Sequence, residues 1–150
     1  MKIKQRLSLI TIGVHDLRAI RGFYEEKLGW KPAAVNKDIV FYRLNGFLLS
    51  FFPQKDLEKD AGIAGGEVRS KGLTLAYIVE TEKEVDELFA VLEEKGVKIV
   101  KRPEKTFFGA YGGHFADAEG NLWEIAANPY IDLDAEENVI GHKDIKALEQ

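Results

Sequence analysis

Apolar positions along the chain switch between two periods, and the switching restarts halfway. Residues 7–14 (LSLITIGV) form a short run rich in β-branched side chains, which predicts a buried strand. Asp16 follows at an N-cap position, where its carboxylate can accept bonds from the free amides of a first helical turn. Leu17, Ile20, Phe23, Tyr24 and Leu28 then recur at helical spacing, and Gly29 suits the left-handed residue that closes a helix. Two further strands are predicted at 39–44 and 46–52, joined through Asn45-Gly46, a strong hairpin signal between apolar runs. Residues 53–71 are polar and carry Gly62, Gly65 and Gly66 without a sustained period, which predicts a linker with a helical turn near 56–61.

The pattern then starts again. Residues 72–79 (GLTLAYIV) read as a strand, and Thr81-x-x-Glu84 is a capping box. Val85, Leu88, Phe89 and Leu92 form the apolar stripe of a helix closed by Gly96. A strand at 97–101 and a hairpin of 114–117 with 122–126 across residues 118–121 complete the set. A β-α-β-β-β module therefore occurs twice in an α+β chain: module one at 7–52, linker at 53–71, module two at 72–127 and a tail at 128–150, together one domain spanning 1–150. Repetition on this scale predicts a duplicated unit whose copies bury a shared face.

Composition narrows the function classes. At 150 residues, 45% hydrophobic and 31% charged, the chain is in the range of a single globular domain. A formal charge of −4 without a Lys/Arg cluster argues against nucleic acid and acidic membranes as partners. The absence of cysteine removes disulfides, thiolate nucleophiles and Cys-based zinc sites. Asp16 and Arg18 interrupt the first apolar stretch too early for a signal peptide or a membrane span, so a cytoplasmic protein is expected.

Three stretches carry a family resemblance: residues 9–30 (LITIGVHDLRAIRGFYEEKLGW), residues 112–129 (GGHFADAEGNLWEIAANP), and Leu57-x-x-Asp60-Ala61-Gly62 between them. In that order they resemble the glyoxalase/bleomycin resistance/extradiol dioxygenase group, the vicinal oxygen chelate superfamily. The middle motif is similar to an uncharacterised bacterial subfamily of it. The resemblance implies tandem βαβββ modules forming a cupped mixed sheet around a small-molecule cavity, and a homodimer. It leaves function open among isomerases, dioxygenases, epimerases, antibiotic-modifying enzymes and drug binders.

Metal-using members place one His or Glu on each of four strands, and on this chain those positions carry Leu9, Ser50, Thr74 and Glu124. A catalytic divalent ion needs about three or four anionic or imidazole donors, so no metal and no other cofactor is expected. Strand alternation places Leu7, Leu9, Thr11, Thr74, Ala76, Phe115 and Glu124 toward the cavity, with Ser50 joining them. Phe41, Phe51, Phe107, Phe108 and Tyr111 are candidate wall residues, of which Phe108 and Tyr111 lie in a Gly-rich loop suited to ligand stacking. If Asp117 pairs with Leu122, Phe115 faces Glu124 and His114 points away, whereas a slip of one residue reverses this. His15 and His142 read as surface positions.

Two functions follow. The first is metal-independent sequestration of a small aromatic or cationic compound by Leu9, Thr11, Ser50, Thr74, Phe108, Tyr111, Phe115 and Glu124. The alternative is a metal-independent lyase or isomerase in which Glu124, a carboxylate desolvated in a partly apolar cup, is the general base, or a metalloenzyme whose ligands stand at other positions. Against both, Glu124 also reads as a relic of the metal box, hydrogen-bonded to Thr74, Tyr111 or a water. With no histidine or second carboxylate expected beside Glu124, the first reading leads. A scaffold acting only through a dimer surface is a third. Asp132-x-Asp134-x-Glu136 imitates a calcium loop but has Glu137 where glycine is required and Lys143 at the bidentate position, so it reads as a solvated acidic tail.

Overall fold

The computed structural model describes residues 5, 9–60, 73–145 and 147, and of residues 58–60 the backbone only. Leu7, the linker glycines Gly62, Gly65 and Gly66, Gly72, and the Ala61-Gly62 end of the middle motif lie outside the described residues. The protein is mixed α+β, with two compact units at residues 1–70 and 71–150, each built on a four-stranded mixed sheet.

The first unit comprises β1 (Leu9–Val14), α1 (Leu17–Gly22), β2 (Ala34–Val35), β3 (Val40–Arg43), β4 (Leu48–Pro53) and α2 (Gln54–Asp60). Its strand order is β1-β4-β3-β2, with β1 parallel to β4. Asp16 caps α1 as its chemistry predicts, accepting a bond from the Ala19 amide at 3.0 Å. The helix expected to run to Leu28 instead widens into a π-helical turn, Phe23–Lys27, where the Leu28 amide reaches back to the Phe23 carbonyl at 3.2 Å. This inserts one residue, a shift that the apolar pattern cannot register. Ile20, Phe23 and Tyr24 pack on Ile12, Val14, Val40, Tyr42, Leu49 and Phe51, all buried. Asn45-Gly46 forms the expected hairpin turn: the Leu44 amide bonds the Phe47 carbonyl at 2.9 Å, and Gly46 has a φ of +104°.

The second unit comprises β5 (Thr74–Val79), α3 (Glu82–Glu94), β6 (Lys98–Lys105), β7 (Tyr111–Ala116) and β8 (Leu122–Ala127), in the order β5-β8-β7-β6. The capping box at Thr81 and Glu84 is formed in both directions. Val85, Phe89 and Leu92 of α3 cover one sheet face over Phe115, Trp123 and Ile125. Phe89 sits directly on Gly113, where a Cβ would lie 2.8 Å from its ring. Among the described residues no helix is long and apolar enough to cross a membrane.

The C-terminal segment departs from the expected solvated tail. β9 (Ile131–Leu133) and β10 (Val139–His142) form an antiparallel hairpin of their own. Its turn repeats the one between β7 and β8. Asp117-Ala-Glu-Gly-Asn121 and Asp134-Ala-Glu-Glu-Asn138 have matching hydrogen bonds: each Asp carboxylate accepts two backbone amides at 2.9 Å and its Asn side-chain amide. The Asp134 carboxyl is held below the usual range chiefly by the Asn138 backbone amide. The acidic run is thus used for turn chemistry and for an ion pair of Asp132 with Lys143 at 2.7 Å.

The fourth residue of both turns is left-handed, at φ +80° for Gly120 and +66° for Glu137. Glycine takes that conformation without a steric penalty, whereas a residue with a Cβ is strained by about 1–2 kcal/mol. Replacing Glu137 with Gly is therefore expected to stabilise the hairpin by about 1 kcal/mol after the entropic loss of a glycine. Slower hydrogen exchange of the Lys143 amide, which bonds the Tyr130 carbonyl at 2.7 Å, would report the gain, and unchanged exchange would contradict it.

α1 is tied to the sheet by a part-buried cluster. Arg21 donates two bonds to Glu25, at 2.7 and 3.1 Å, and the Tyr42 hydroxyl donates a third at 3.2 Å. The Arg21 bonds hold the Glu25 carboxyl below its ordinary range, while burial pushes the Tyr42 phenol up. A carboxyl lowered in the folded state contributes stability above its unfolded pKa, and that contribution is lost as pH falls through the folded value. Glu25→Gln should therefore be less stable than the parent at neutral pH, with the gap closing as pH is lowered below about 4.5. Urea midpoints measured from pH 7 to pH 3 check this, and a gap independent of pH would contradict it.

Candidate functional site

The turn at Asp117 decides which side chains meet on the second sheet. Asp117 and Asn121 are 6% and 3% exposed, and the Asp117 amide bonds the Asn121 carbonyl at 3.0 Å. Both residues belong to the turn, so the strands pair as Ala116↔Leu122, Phe115↔Trp123 and His114↔Glu124. This is one residue away from the expected Asp117–Leu122 pairing, and it reverses every face assignment that depended on it.

Phe115, expected beside Glu124, instead stacks on Trp123 at 6.1 Å with the rings 6° from parallel, under α3. Tyr111 is turned the same way and donates to Asp86 of α3 at 2.6 Å, a bond that raises its phenol pKa. Neither supplies the cavity contact that the sequence suggested, and Tyr111 is not the partner of Glu124. Phe108 stays in the loop before β7, half-buried and edge-on to Tyr130 at 6.5 Å, while its neighbour Phe107 is largely exposed.

The sheet face opposite α3 carries the chemistry. Glu124 lies between Ala76 of β5 and His114 of β7, its register partners on either side. His114 Nε2 is 3.5 Å from Glu124 Oε2, and the side chains are 29% and 37% exposed. That separation is long for an aligned hydrogen bond, so a ligand atom can compete for either group. Thr74, two residues before Ala76, belongs to the same face and is exposed. Ala76, Ala116, Ala126 and Gly112 around the pair are all small, and Gly112 could not carry a Cβ without meeting that of Ala126 at 2.6 Å.

In the first unit, register places Leu9, Thr11 and Ser50 on one face, with Phe41 opposite Ser50. The Thr11 and Ser50 hydroxyls hydrogen-bond at 2.8 Å, and Ser50 is fully buried. Phe51 belongs instead to the core, its ring 4.8 Å from that of Tyr24, because its neighbour Ser50 takes the opposite face.

These donors do not fit a catalytic metal. Leu9 offers none, the Ser50 hydroxyl is committed to Thr11, Thr74 offers a neutral hydroxyl, and only Glu124 is anionic. His114 adds one imidazole to Glu124, and among the described residues no group of three His, Cys, Asp or Glu could hold an ion. A cavity of about 570 Å³ between the start of α3 and the C-terminal hairpin contains none of these residues. Its lysines are already paired, Lys105 with Glu82 and Lys143 with Asp132.

Because the Asp117 turn sets the pairing, its loss should be costly. Asp117→Ala would leave several buried or half-buried amide donors without their acceptor, and the expected loss is about 2–3 kcal/mol. Chemical denaturation reads it directly, and a loss under about 0.5 kcal/mol would show that the turn holds without the carboxylate.

A family model described as Glyoxalase/Bleomycin resistance protein/Dioxygenase superfamily matches residues 6–125. A glyoxalase-related enzyme from Fulvimarina pelagi is 34% identical with a TM-score of 0.81, the alignment covering 93% of this chain and 99% of that one. A glyoxalase/bleomycin resistance protein/dioxygenase from Nocardioides is 19% identical with a TM-score of 0.73, covering 85% of each chain. A lactoylglutathione lyase from Agrobacterium tumefaciens is 16% identical with a TM-score of 0.65, covering 85% of this chain and 96% of that one. At these lower identities the last two likenesses concern the fold alone.

Proposed function

The chain belongs to the glyoxalase/bleomycin resistance protein/dioxygenase superfamily, and we propose that it is a metal-independent lyase or isomerase in which Glu124 and His114 move a proton on a small bound ligand. The observation that carries this reading is the 3.5 Å approach of His114 Nε2 to Glu124 Oε2 on the face opposite α3. A carboxylate and an imidazole side by side form the minimal set for general acid–base work, since one can accept a proton while the other donates or relays one. The glyoxalase-related protein from Fulvimarina pelagi, 34% identical, is described as an enzyme, which supports the same class.

The chemistry balances without a further reagent. Glu124 takes a proton from a carbon next to a ligand carbonyl, the C–H electron pair becomes the C=C bond of the enolate, and the carbonyl π pair moves onto its oxygen. His114 hydrogen-bonds that oxygen or protonates it. Return of the proton to a different carbon or face gives an isomer. In a lyase reaction the enolate oxygen re-forms the carbonyl, and the C=C pair shifts to the next carbon as its bond to a leaving group breaks. That group departs with the bonding pair and takes a proton from His114.

Sequestration of an aromatic or cationic compound was favoured by two expectations: no histidine near Glu124, and aromatic rings around it. The strand register supplies the histidine and turns Phe115 and Tyr111 toward α3. What still favours plain binding is the carboxylate itself.

Incubation with a panel of small enolisable ketones in D₂O, followed by proton NMR, separates the two readings. The parent protein should wash out the protons next to a carbonyl, and Glu124→Gln should slow this about 10²–10⁴-fold, the usual contribution of a positioned base. Treatment with a chelator should leave the rate unchanged. Exchange at the parent rate in Glu124→Gln would overturn the assignment, and a ketone that binds without exchanging would favour sequestration.

A further inference from the structure

The row that holds Glu124 and His114 continues onto β6, and the strand is distorted where it does so. Ile99 pairs with Phe115, so an undisturbed ladder would set Val100 opposite His114. Instead Lys101 is the register partner of His114, and the next pair is Glu104↔Gly112. One extra residue therefore lies on each side of Lys101. Bulges re-aim side chains and are enriched beside active sites. The first one here replaces an apolar residue by a cation opposite the imidazole.

The distortion is built into the neighbouring residues. Pro103, which has no amide to give to a ladder, sits within the second bulge. The backbone of β6 leans on β7 at Gly113, where a Cβ would lie 2.6 Å from the Lys101 carbonyl oxygen and 2.8 Å from the Pro103 nitrogen. Only glycine allows that approach. The outcome is a row across adjacent strands: Ala76, Glu124, His114, Lys101. Residues directly opposite in a ladder share a face, and strands are about 4.8 Å apart, so Lys101 starts about 10 Å from Glu124 with His114 between them.

Lys101 is available to a ligand. Its ammonium lies 2.8 Å from Glu104, but the two side chains are 54% and 61% exposed. An exposed pair of this kind contributes little and is easily exchanged for another anion.

We infer that Lys101 is the specificity residue of this site, and that the substrate is an enolisable carbonyl compound carrying a carboxylate a few atoms from the carbonyl. The carboxylate binds Lys101, the carbonyl oxygen lies at His114, and the acidic C–H is presented to Glu124. This rests on the acid–base reading above and adds the substrate class to it. Lys101 takes no part in bond making. It fixes which end of the ligand reaches the base.

Levulinate and its methyl ester test this, being the same ketone with and without the charge. Binding is measured by saturation-transfer NMR, and proton exchange in D₂O is followed on the same samples, for the parent, Lys101→Gln, Lys101→Arg and Glu124→Gln. The parent should bind and exchange levulinate at least about 10-fold better than the ester, the worth of one charge-assisted contact. Lys101→Gln should erase that preference by weakening levulinate alone, and Lys101→Arg should restore most of it. If levulinate keeps its advantage in Lys101→Gln, or never has one, the role of Lys101 is overturned while that of Glu124 stands on its own exchange result. If binding depends on Lys101 but no protein exchanges protons, Lys101 stands and the base assignment falls. If neither compound binds or exchanges, this substrate class is overturned.

Discussion

The Asp117 carboxylate accepts the backbone amides of Glu119 and Asn121 and the side-chain amide of Asn121, and these bonds close the turn between β7 and β8. A strand pair joined by a turn inherits its register from that turn, and a shift of one residue exchanges the two faces. Here the turn starts at Asp117 rather than after it. Phe115 and Trp123 therefore stack beneath α3, and His114 comes to Glu124. Hydrophobic packing and site chemistry are set by the same few hydrogen bonds. Burial of the Phe115–Trp123 stack stabilises the register that exposes the polar pair, so the site is held by the core beneath it.

The two units make different use of the same strand order. In the first, the face opposite α1, against which α2 packs at Gly13, carries Leu9, Thr11 and Ser50, with the hydroxyls bonded to each other and Ser50 buried. In the second, the corresponding face carries a carboxylate, an imidazole and, through the bulges of β6, an ammonium group. The duplicated framework is therefore common to both, but titratable side chains suited to proton transfer gather on one. The same contrast explains the poor fit to a metal: the strand positions that would supply donors hold an isobutyl group, two hydroxyls and a single carboxylate.

Much of this was legible in the sequence where the governing chemistry is local. Asp16 as a cap, the Thr81–Glu84 box and the Asn45-Gly46 turn each involve groups a few residues apart, and each forms as its chemistry predicts. The family motifs at 9–30 and 112–129 gave the α+β framework. What was not legible depends on contacts between strands. Asp117 can end a strand or cap a turn, and only the latter lets it gather three donors. The repeated Asp-Ala-Glu-x-Asn at 117–121 and 134–138 was the signal that both segments are turns. The π-helical turn at Phe23–Lys27 and the bulges around Lys101 each insert a residue without disturbing the hydrophobic pattern enough to be read.

The central claim is that His114 lies opposite Glu124, and solution NMR tests it without a ligand. Nuclear Overhauser contacts from the His114 imidazole protons to the Glu124 side-chain methylenes are predicted, together with contacts between the Phe115 and Trp123 rings. Contacts from the Phe115 ring to Glu124, with His114 showing none to that residue, would contradict the register and the proton-transfer site built on it.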